Sequence, residues 1–185
     1  MLLFENCVSS DLRAFVNKST FDPWVETPFE GYVNMSPSQK GQFGEIFVSN
    51  FMETLNCNIS DRQNTQHDRV IDGYKVEIKF GLAQRDYDKR CVVKDNFTIN
   101  HVAKDKDWDR LVFFGINPNQ EDCKLFFFDK VDFLREFDTL MQANIFMHQQ
   151  TGKKSGNDDY MCPNKCVSRL HNLPWVKDIS KWRSE

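Results

Sequence analysis

The sequence lacks the features by which membrane and exported proteins are usually identified. No apolar run in its 185 residues approaches membrane-spanning length. The opening residues, MLLFENCV, have no basic region and carry an early Glu5, so we expect no signal peptide. The sequence also has no internal repeat and no low-complexity tract. These absences favour a chain that folds without a membrane.

Net positive charge is also missing. The net charge of −3 argues against a histone-like binder that works by bulk positive charge. The balance is uneven, because residues 151–185 carry seven Lys or Arg against four Asp or Glu, which leaves −6 for residues 1–150. Local contact with nucleic acid therefore stays open. The six cysteines are scattered through a chain with no export signal, so we expect reduced thiols and an intracellular location.

The composition is that of one globular domain. Hydrophobic residues make up 40% of the chain, and 17 phenylalanines supply much of the apolar volume. We expect a single domain over residues 1–185, with a core at about 36–142 and a C-terminal extension at 143–185 that is a candidate for ligand contact.

Local patterns predict the order helix, hairpin, strand, strand, helix. Ser36-Pro37-Ser38-Gln39 has a capping-box pattern and predicts a helix over about 37–55. RLVFFGI (110–116) and KLFFFD (124–129) suit buried strands. Asp129 can then cap a helix whose predicted inner face holds Val131, Leu134, Phe137, Leu140 and Met141. This order predicts an α/β domain with a mixed sheet flanked by helices.

Residues 67–80, HDRVIDGYKVEIKF, predict a hairpin with charged side chains on one face. Asp72-Gly73 favours a two-residue type I′ turn, in which both residues take positive φ. That turn pairs Ile71 with Tyr74 and sets Asp68 opposite Glu77. Since side chains alternate along a strand, Glu77 and Lys79 share a face with Asp68. The predicted apolar face holds Ile71, Tyr74, Val76, Ile78 and Phe80.

Two facing carboxylates need neutralisation. Their Cβ atoms would lie about 5 Å apart, where repulsion costs roughly 3 kcal/mol at an effective dielectric near 20. Lys79 can supply part of the compensation, and Mg²⁺ is the common partner of paired carboxylates where the substrate is a phosphate. The alternative is a solvated surface salt-bridge cluster, which contributes little. Asp72 competes with Asp68 as the first acid, but turn chemistry explains Asp72 better.

Asp68 in HDRVIDG and Glu77-Ile78-Lys79 in KVEIKF resemble the motif of the PD-(D/E)xK nuclease superfamily. The resemblance covers about residues 38–140 and is to small type II restriction endonucleases and their phage or viral relatives. It implies a restriction-endonuclease-like core. His67 stands where the family pattern has proline, a variation that the family tolerates.

The resemblance implies Mg²⁺-dependent hydrolysis of DNA phosphodiesters that leaves a 5′-phosphate and a 3′-hydroxyl. Asp68 and Glu77 would hold the metal, with the backbone carbonyl of Ile78 as a further ligand. Lys79 would act on the attacking water. Glu45 fits a glutamate that the family often carries on the preceding helix, although a helix-surface carboxylate explains it equally well.

Basic residues near this motif are candidates for DNA contact. They are Arg85, Lys89, Arg90 and Lys94 after the E-x-K strand. Lys153 and Lys154 in TGKKSGNDD are further candidates for phosphate contact, although a solvated loop explains them equally well. The stretches 82–96 and 145–175 are candidates for reading bases. The expected partner is double-stranded DNA, and a palindromic site would imply a homodimer.

Other features leave alternatives open. Asn100 and His101 could lie near the active site or be structural. Cys162, Cys166 and His171, with His148 as a fourth ligand, suggest zinc, although the cysteine spacing departs from the common pairs. Trp175 and Trp182 could pack or stack on bases. The alternative functions are a repair or recombination nuclease acting on nicked, flapped or branched DNA, and a noncatalytic nucleic-acid-binding protein.

Overall fold

A computed structural model describes residues 2–10, 12, 22–61, 65–86, 91–149 and 159–183. The α-helices in this part of the chain are α1 (Leu2–Cys7), α2 (Pro37–Thr54), α3 (Lys130–Gln142) and α4 (Val167–His171). Its strands are β1 (Ile59–Asp61), β2 (Arg69–Ile71), β3 (Tyr74–Leu82), β4 (Arg85–Asp86), β5 (Cys91–Val92), β6 (Ile99–Ala103), β7 (Arg110–Ile116), β8 (Lys124–Asp129), β9 (Met147–His148), β10 (Asp159–Cys162) and β11 (Lys177–Asp178). None of these helices has the length and apolar character needed to cross a membrane.

The main sheet has six strands in the order β1-β2-β3-β7-β8-β11. β3 and β7 run parallel, and every other neighbouring pair in this sheet is antiparallel. The predicted α/β architecture, a mixed sheet flanked by helices, is confirmed. Parallel strands are usually joined through a helix, whereas the described part of this crossover forms β4, β5 and β6.

A second sheet of three strands, ordered β6-β10-β9, packs beside the main sheet. Its strands are antiparallel, with a bulge between Tyr160 and Cys162. Ring contacts join this layer to the rest of the core, including Tyr160 on Phe137 at 4.7 Å. The described part of residues 143–185 thus adds β9 and β10 to the three-stranded sheet and β11 to the main sheet.

Helix α2 begins as its sequence predicts and covers one face of the central strands. Ser36 Oγ accepts a hydrogen bond from the Gln39 backbone N–H, and the Gln39 side chain accepts one from the Ser36 N–H. The buried Phe47 and Phe51 rings meet Phe80 and Phe114 at 5.1 and 4.9 Å. This aromatic packing sets the distance between α2 and β3.

Helix α3 buries only part of the face that its periodicity predicts: Leu140 is buried, and Phe137 and Met141 pack against the core. Val131 and Leu134 are 75% and 45% exposed, so their prediction as inward-facing residues is wrong. Phe133 takes the buried position instead, with ring contacts to Trp108 and Phe128. The helix carries apolar residues on several sides, and the large Phe133 ring gains more by burial than Val131.

Asp129 precedes α3 without capping it through its side chain. Strand pairing sets Asp129 opposite Arg110, and its Oδ1 accepts a 2.8 Å hydrogen bond from Arg110 Nε. Its Oδ2 accepts a second bond from Lys177 Nζ. The predicted side-chain cap is therefore wrong, because two cations hold this carboxylate at the sheet.

Alanine at Gly44 is expected to destabilise the fold by about 1–3 kcal/mol, because a new methyl group overpacks a filled core. A Cβ at this position would lie 2.5 Å from Phe80 Cβ. Gly41→Ala, in the same helix, is the matched control, since nothing lies within 4 Å of its added methyl group. That variant should gain about 0.5–1 kcal/mol from helix propensity. Urea unfolding measures both, and equal effects would contradict the close approach of α2 to β3.

Candidate active site

The hairpin of β2 and β3 has the predicted register. Ile71 pairs with Tyr74 and Arg69 with Val76. Asp72 and Gly73 take φ values of 48° and 88°, as the type I′ turn requires. Tyr74 lies on the predicted face at the hairpin tip, where it is 37% exposed and its ring contacts that of Trp182 at 5.9 Å.

Asp72 anchors the turn and does not face the candidate site residues. Its Oδ1 accepts a hydrogen bond from the Asn58 N–H, and its Oδ2 accepts bonds from Trp182 Nε1 and Arg183 Nε. The Arg183 guanidinium is the main reason that the pKa of Asp72 falls to about 2. These contacts agree with a structural role for Asp72, as turn chemistry predicts.

Asp68 lies where β2 has ended and β3 continues. The β2–β3 ladder stops at the pair of Arg69 and Val76, so the Ile78 N–H has no strand partner on that side. Asp68 Oδ2 accepts this N–H at 2.7 Å. A buried backbone donor needs such a partner, and a short acidic side chain can supply it. The carboxylate of Asp68 is thereby held beside the strand that carries Glu77.

Glu77 is 1% exposed on the central strand β3. Its Oε1 accepts a 2.8 Å hydrogen bond from Lys79 Nζ, and Lys106 Nζ lies 3.6 Å away. Its Oε2 is buried and has no hydrogen-bond partner among the described residues. Leu111 and Phe113, beside Glu77 and Lys79 in the parallel register, are fully buried. Both faces of the sheet are therefore covered here, and the alternative of a solvated surface cluster is wrong.

The environment of Asp68 disfavours its negative charge. Burial is the largest cause, and the nearby Glu77 carboxylate adds to it, so that the pKa of Asp68 rises to about 6. The Ile78 N–H and the Lys79 ammonium oppose this rise. At Asp68, burial and the neighbouring carboxylates therefore outweigh the stabilisation of its negative charge by Lys79 and the Ile78 N–H.

Glu45 reaches this site through Arg69. Glu45 Oε2 accepts a hydrogen bond from Arg69 Nη1 at 2.8 Å, and the same nitrogen donates to the Asp68 carbonyl oxygen at 2.7 Å. Glu45 also contributes to the raised pKa of Asp68. The helix therefore contributes a partly buried, paired carboxylate at the edge of the site.

Two further residues near the site were not found from the sequence. Lys106 comes beside Glu77 because β7 runs parallel to β3 from the pair of Val76 and Arg110 onward, so the residues before Arg110 lie near the start of β3. Lys106 could be identified as a site residue only once the pairing of β3 with β7 was known. His67 is buried, and neither ring nitrogen has a hydrogen-bond partner among the described residues. Its place in the motif, beside Asp68, was the available signal.

The predicted DNA-contacting residues separate into three groups. Arg85, on β4, lines a hollow beside Trp24. Lys94 has a side chain that is 70% exposed and pairs with Asp122 at 3.2 Å. Four candidates lie outside the described residues: Lys89, Arg90, Lys153 and Lys154.

Asn100 and His101 line a groove of about 450 Å³ that Lys79 also lines. His101 Nδ1 lies 2.9 Å from Asp159 Oδ2. These two residues, for which the sequence left a structural role open, therefore share a groove with one predicted catalytic residue.

The proposed zinc ligands do not come together. The His171 ring stacks on Phe126 at 5.1 Å, and Cys166 Sγ donates to the Asn144 carbonyl oxygen. All six cysteines are free thiols, in agreement with the expected reduced state, and burial raises the pKa of Cys162. Within the described ranges, no group of three or more His, Cys, Asp or Glu side chains is arranged to hold a metal. The zinc alternative is not supported.

The C-terminal tryptophans pack against the domain. Trp182 is buried, with its ring 5.0 Å from that of Phe127. Trp175 meets Phe128 at 5.5 Å. Packing, the first of the two roles considered for them, is confirmed.

No family model matches the chain, and no curated protein matches it. The interpretation of the site therefore depends on its geometry and on the motif resemblance.

Asp68→Asn is expected to remove a pH dependence of stability. In the folded chain the pKa of Asp68 is about 6, whereas the ordinary pKa of this group is 3.8. Because the native state then binds more protons, wild-type stability falls as the pH rises between these values. At neutral pH the variant should be more stable, by up to about 3 kcal/mol. Asparagine keeps an acceptor for the Ile78 N–H.

Urea unfolding at pH 4 and pH 7 measures this difference. The control is Asp61→Asn, which removes an exposed carboxylate at the end of β1 and should change little at either pH. A constant difference between wild type and Asp68→Asn across that range would contradict the assigned electrostatics.

Lys79→Met is expected to destabilise the fold by about 3 kcal/mol, because it leaves a buried carboxylate with less compensation. Lys106 Nζ remains 3.6 Å from Glu77, so the loss should stay at the lower end of the range for buried pairs. The double variant Glu77→Gln/Lys79→Met should recover most of it. Lys75→Met, which breaks an exposed pair with Asp107, is the control. Urea unfolding that gave equal losses for Lys79→Met and Lys75→Met would refute the buried pair.

Proposed function

We propose that the chain is a metal-dependent nuclease that hydrolyses phosphodiester bonds in DNA. One observation carries the proposal: Glu77 is buried on the central strand beside Asp68 and Lys79, and its Oε2 has no hydrogen-bond partner in the described part of the chain. A buried ion pair is a weak source of stability, and apolar residues often replace one at no cost. Perturbed carboxylates with a specific charge partner are typical of functional sites. These residues also occupy the motif positions of the resemblance.

The residues present fit Mg²⁺. This ion usually keeps several waters and binds through one or two carboxylates together with substrate phosphate oxygens. It therefore does not need the cluster of three acidic or imidazole side chains that the described residues lack. Asp68 and Glu77 would hold it, and the buried Oε2 of Glu77 is a donor atom without another partner among the described residues. The Ile78 carbonyl stays a predicted ligand. Bound Mg²⁺ would polarise a phosphate oxygen and favour the ionisation of a bound water.

The chain's own cations have a defined part in this reaction. Lys79 Nζ donates to Glu77 Oε1 and lines the groove, so it can orient a water and stabilise the charge that develops on a phosphate. Lys106 adds a second positive charge near the same carboxylate. In the hydrolysis, the water oxygen bonds to phosphorus and the bond from phosphorus to O3′ breaks. A proton from the water ends on O3′, which leaves a 5′-phosphate and a 3′-hydroxyl.

The biological role that we propose first is that of a type II restriction enzyme, or of a phage or viral relative. This role goes with a restriction-endonuclease-like core. The expected homodimer belongs to that assignment, because twofold protein symmetry would match a palindromic site. A repair or recombination nuclease is the second, with a nick, flap or junction as substrate. The complete set of Asp68, Glu77 and Lys79 argues against a noncatalytic binding protein.

The proposal is tested by incubating purified protein with plasmid and oligonucleotide DNAs in Mg²⁺ or EDTA. Glu77→Gln and Lys79→Ala should each reduce Mg²⁺-dependent cleavage by at least about 100-fold, because the first removes a carboxylate that would hold Mg²⁺ and the second removes a cation beside the reacting phosphate. The control is Lys181→Ala, which removes an exposed lysine from the 3₁₀ helix Ile179–Lys181 and should cleave like wild type.

Thermal unfolding adds a readout that does not depend on activity. Mg²⁺ should raise the melting temperature of wild type and not that of Glu77→Gln, because a ligand of the native state stabilises it. Equal cleavage by wild type, Glu77→Gln and Lys79→Ala would contradict the proposed catalytic roles of Glu77 and Lys79.

A further inference from the structure

A continuous groove leads to the candidate site. Its walls are Lys40 and Gly41 of α2 on one side and Asn100 and His101 of β6 on the other, and β3 forms its floor. Beyond Gln84 the groove continues into a hollow of about 360 Å³ beside Arg85 and Trp24. The two spaces share Tyr32, Lys40, Leu82 and Gln84. The groove therefore runs from Lys79 to Arg85.

The lining of this groove is cationic in an acidic protein. The chain has 27 acidic against 24 basic residues, yet no Asp or Glu is among the described residues that line either space. Lys40, Lys79 and Arg85 line it at different points along its length. Lysine and arginine along a groove, together with aromatic rings, are how proteins follow a nucleic-acid strand. Tyr32 supplies such a ring, with Lys40 Nζ 5.3 Å from its centroid.

The β6 wall of the groove is held in a strained conformation. His101 has a φ of 57°, in the left-handed region that non-glycine residues seldom adopt. Gln149 Oε1 accepts the His101 backbone N–H at 2.7 Å, and Asp159 holds the ring nitrogen. The side chain is nevertheless exposed at the groove. Strain that the surrounding structure maintains is typical of ligand-binding and active sites.

The dimensions of the groove limit what can enter it. A volume of about 450 Å³ lies within the range of small-ligand sites, which run from roughly 300 to 1,000 Å³. A duplex has two backbones on either side of its stacked base pairs and is therefore much wider than a single strand. Glu77 is buried, and Lys79, which donates to it, lines the groove, so a phosphate in the groove would meet Lys79 first. A single strand is narrow enough to follow this groove, and such a substrate fits the repair or recombination assignment better than the restriction enzyme.

We propose that this groove binds single-stranded DNA, and that the substrate is a single-stranded segment such as a flap or a frayed end. The substrate assignment rests on the proposed nuclease function, whereas the binding of a single strand in the groove does not. Lys40 and Arg85 contact its phosphates, and His101 contacts the strand from the β6 wall.

Binding is measured without cleavage, by fluorescence anisotropy of wild type in EDTA with a labelled single strand of mixed sequence and with its duplex. The single strand should bind at least about tenfold more tightly. Lys40→Gln and Arg85→Gln should each weaken single-strand binding and reduce the slope of log affinity against log salt by about 0.7. Lys181→Gln, which removes an exposed lysine away from the groove lining, is the control. Equal or tighter binding of duplex would overturn the inference, as would unchanged affinity in both groove variants.

Cleavage in Mg²⁺ separates the two proposals. Rapid cutting of a flapped oligonucleotide, with intact duplex cut at least about tenfold more slowly, supports both. Equal cutting of intact duplex overturns the single-strand substrate and leaves the nuclease proposal standing. Single-strand binding in the groove without cleavage of any DNA overturns the nuclease proposal and keeps the groove as a binding site.

Discussion

The difference in length between β2 and β3 is the constraint on which the candidate site depends. β2 stops pairing at Arg69, while β3 continues to Leu82. The Ile78 N–H is left for a side chain to satisfy, and Asp68 satisfies it. That bond holds Asp68 beside the buried Glu77, and burial first, then the proximity of Glu77, raises the pKa of Asp68. The closeness of the two acids therefore follows from the absence of a β2 backbone acceptor for the Ile78 N–H.

The parts of this arrangement that the sequence predicts are local. The turn at Asp72 and Gly73 sets the hairpin register, because two positive φ values fit few other turn types. The start of α2 follows from Ser36 and Gln39, which satisfy each other's backbone donors. Such signals act over a few residues, so neighbouring sequence contains all the information that they need.

The parts that the sequence misses depend on distant segments. Glu77 is buried on a central strand that pairs in parallel with β7, and nothing in KVEIKF encodes that pairing. Lys106 arrives through a parallel pairing across the long β3–β7 crossover. On α3, periodicity alone could not choose between Val131 and Phe133, since the core contacts of Phe133 decide the orientation. The groove likewise joins Lys40 to His101 only in three dimensions.

The contacts of Asp72 bear on the order in which the chain folds. The hairpin is local and can form in roughly 1–10 μs. Trp182 and Arg183, which donate to Asp72, lie 110 and 111 positions away along the chain, and contacts of such separation form slowly. We therefore expect the contacts of Trp182 and Arg183 with the hairpin turn to form after the hairpin itself. Proteolytic removal of residues 182–183 would take away two donors to Asp72 and loosen the turn, while Asp68, Glu77 and Lys79 would stay intact. Trp182 and Arg183 therefore stabilise the site without contacting it.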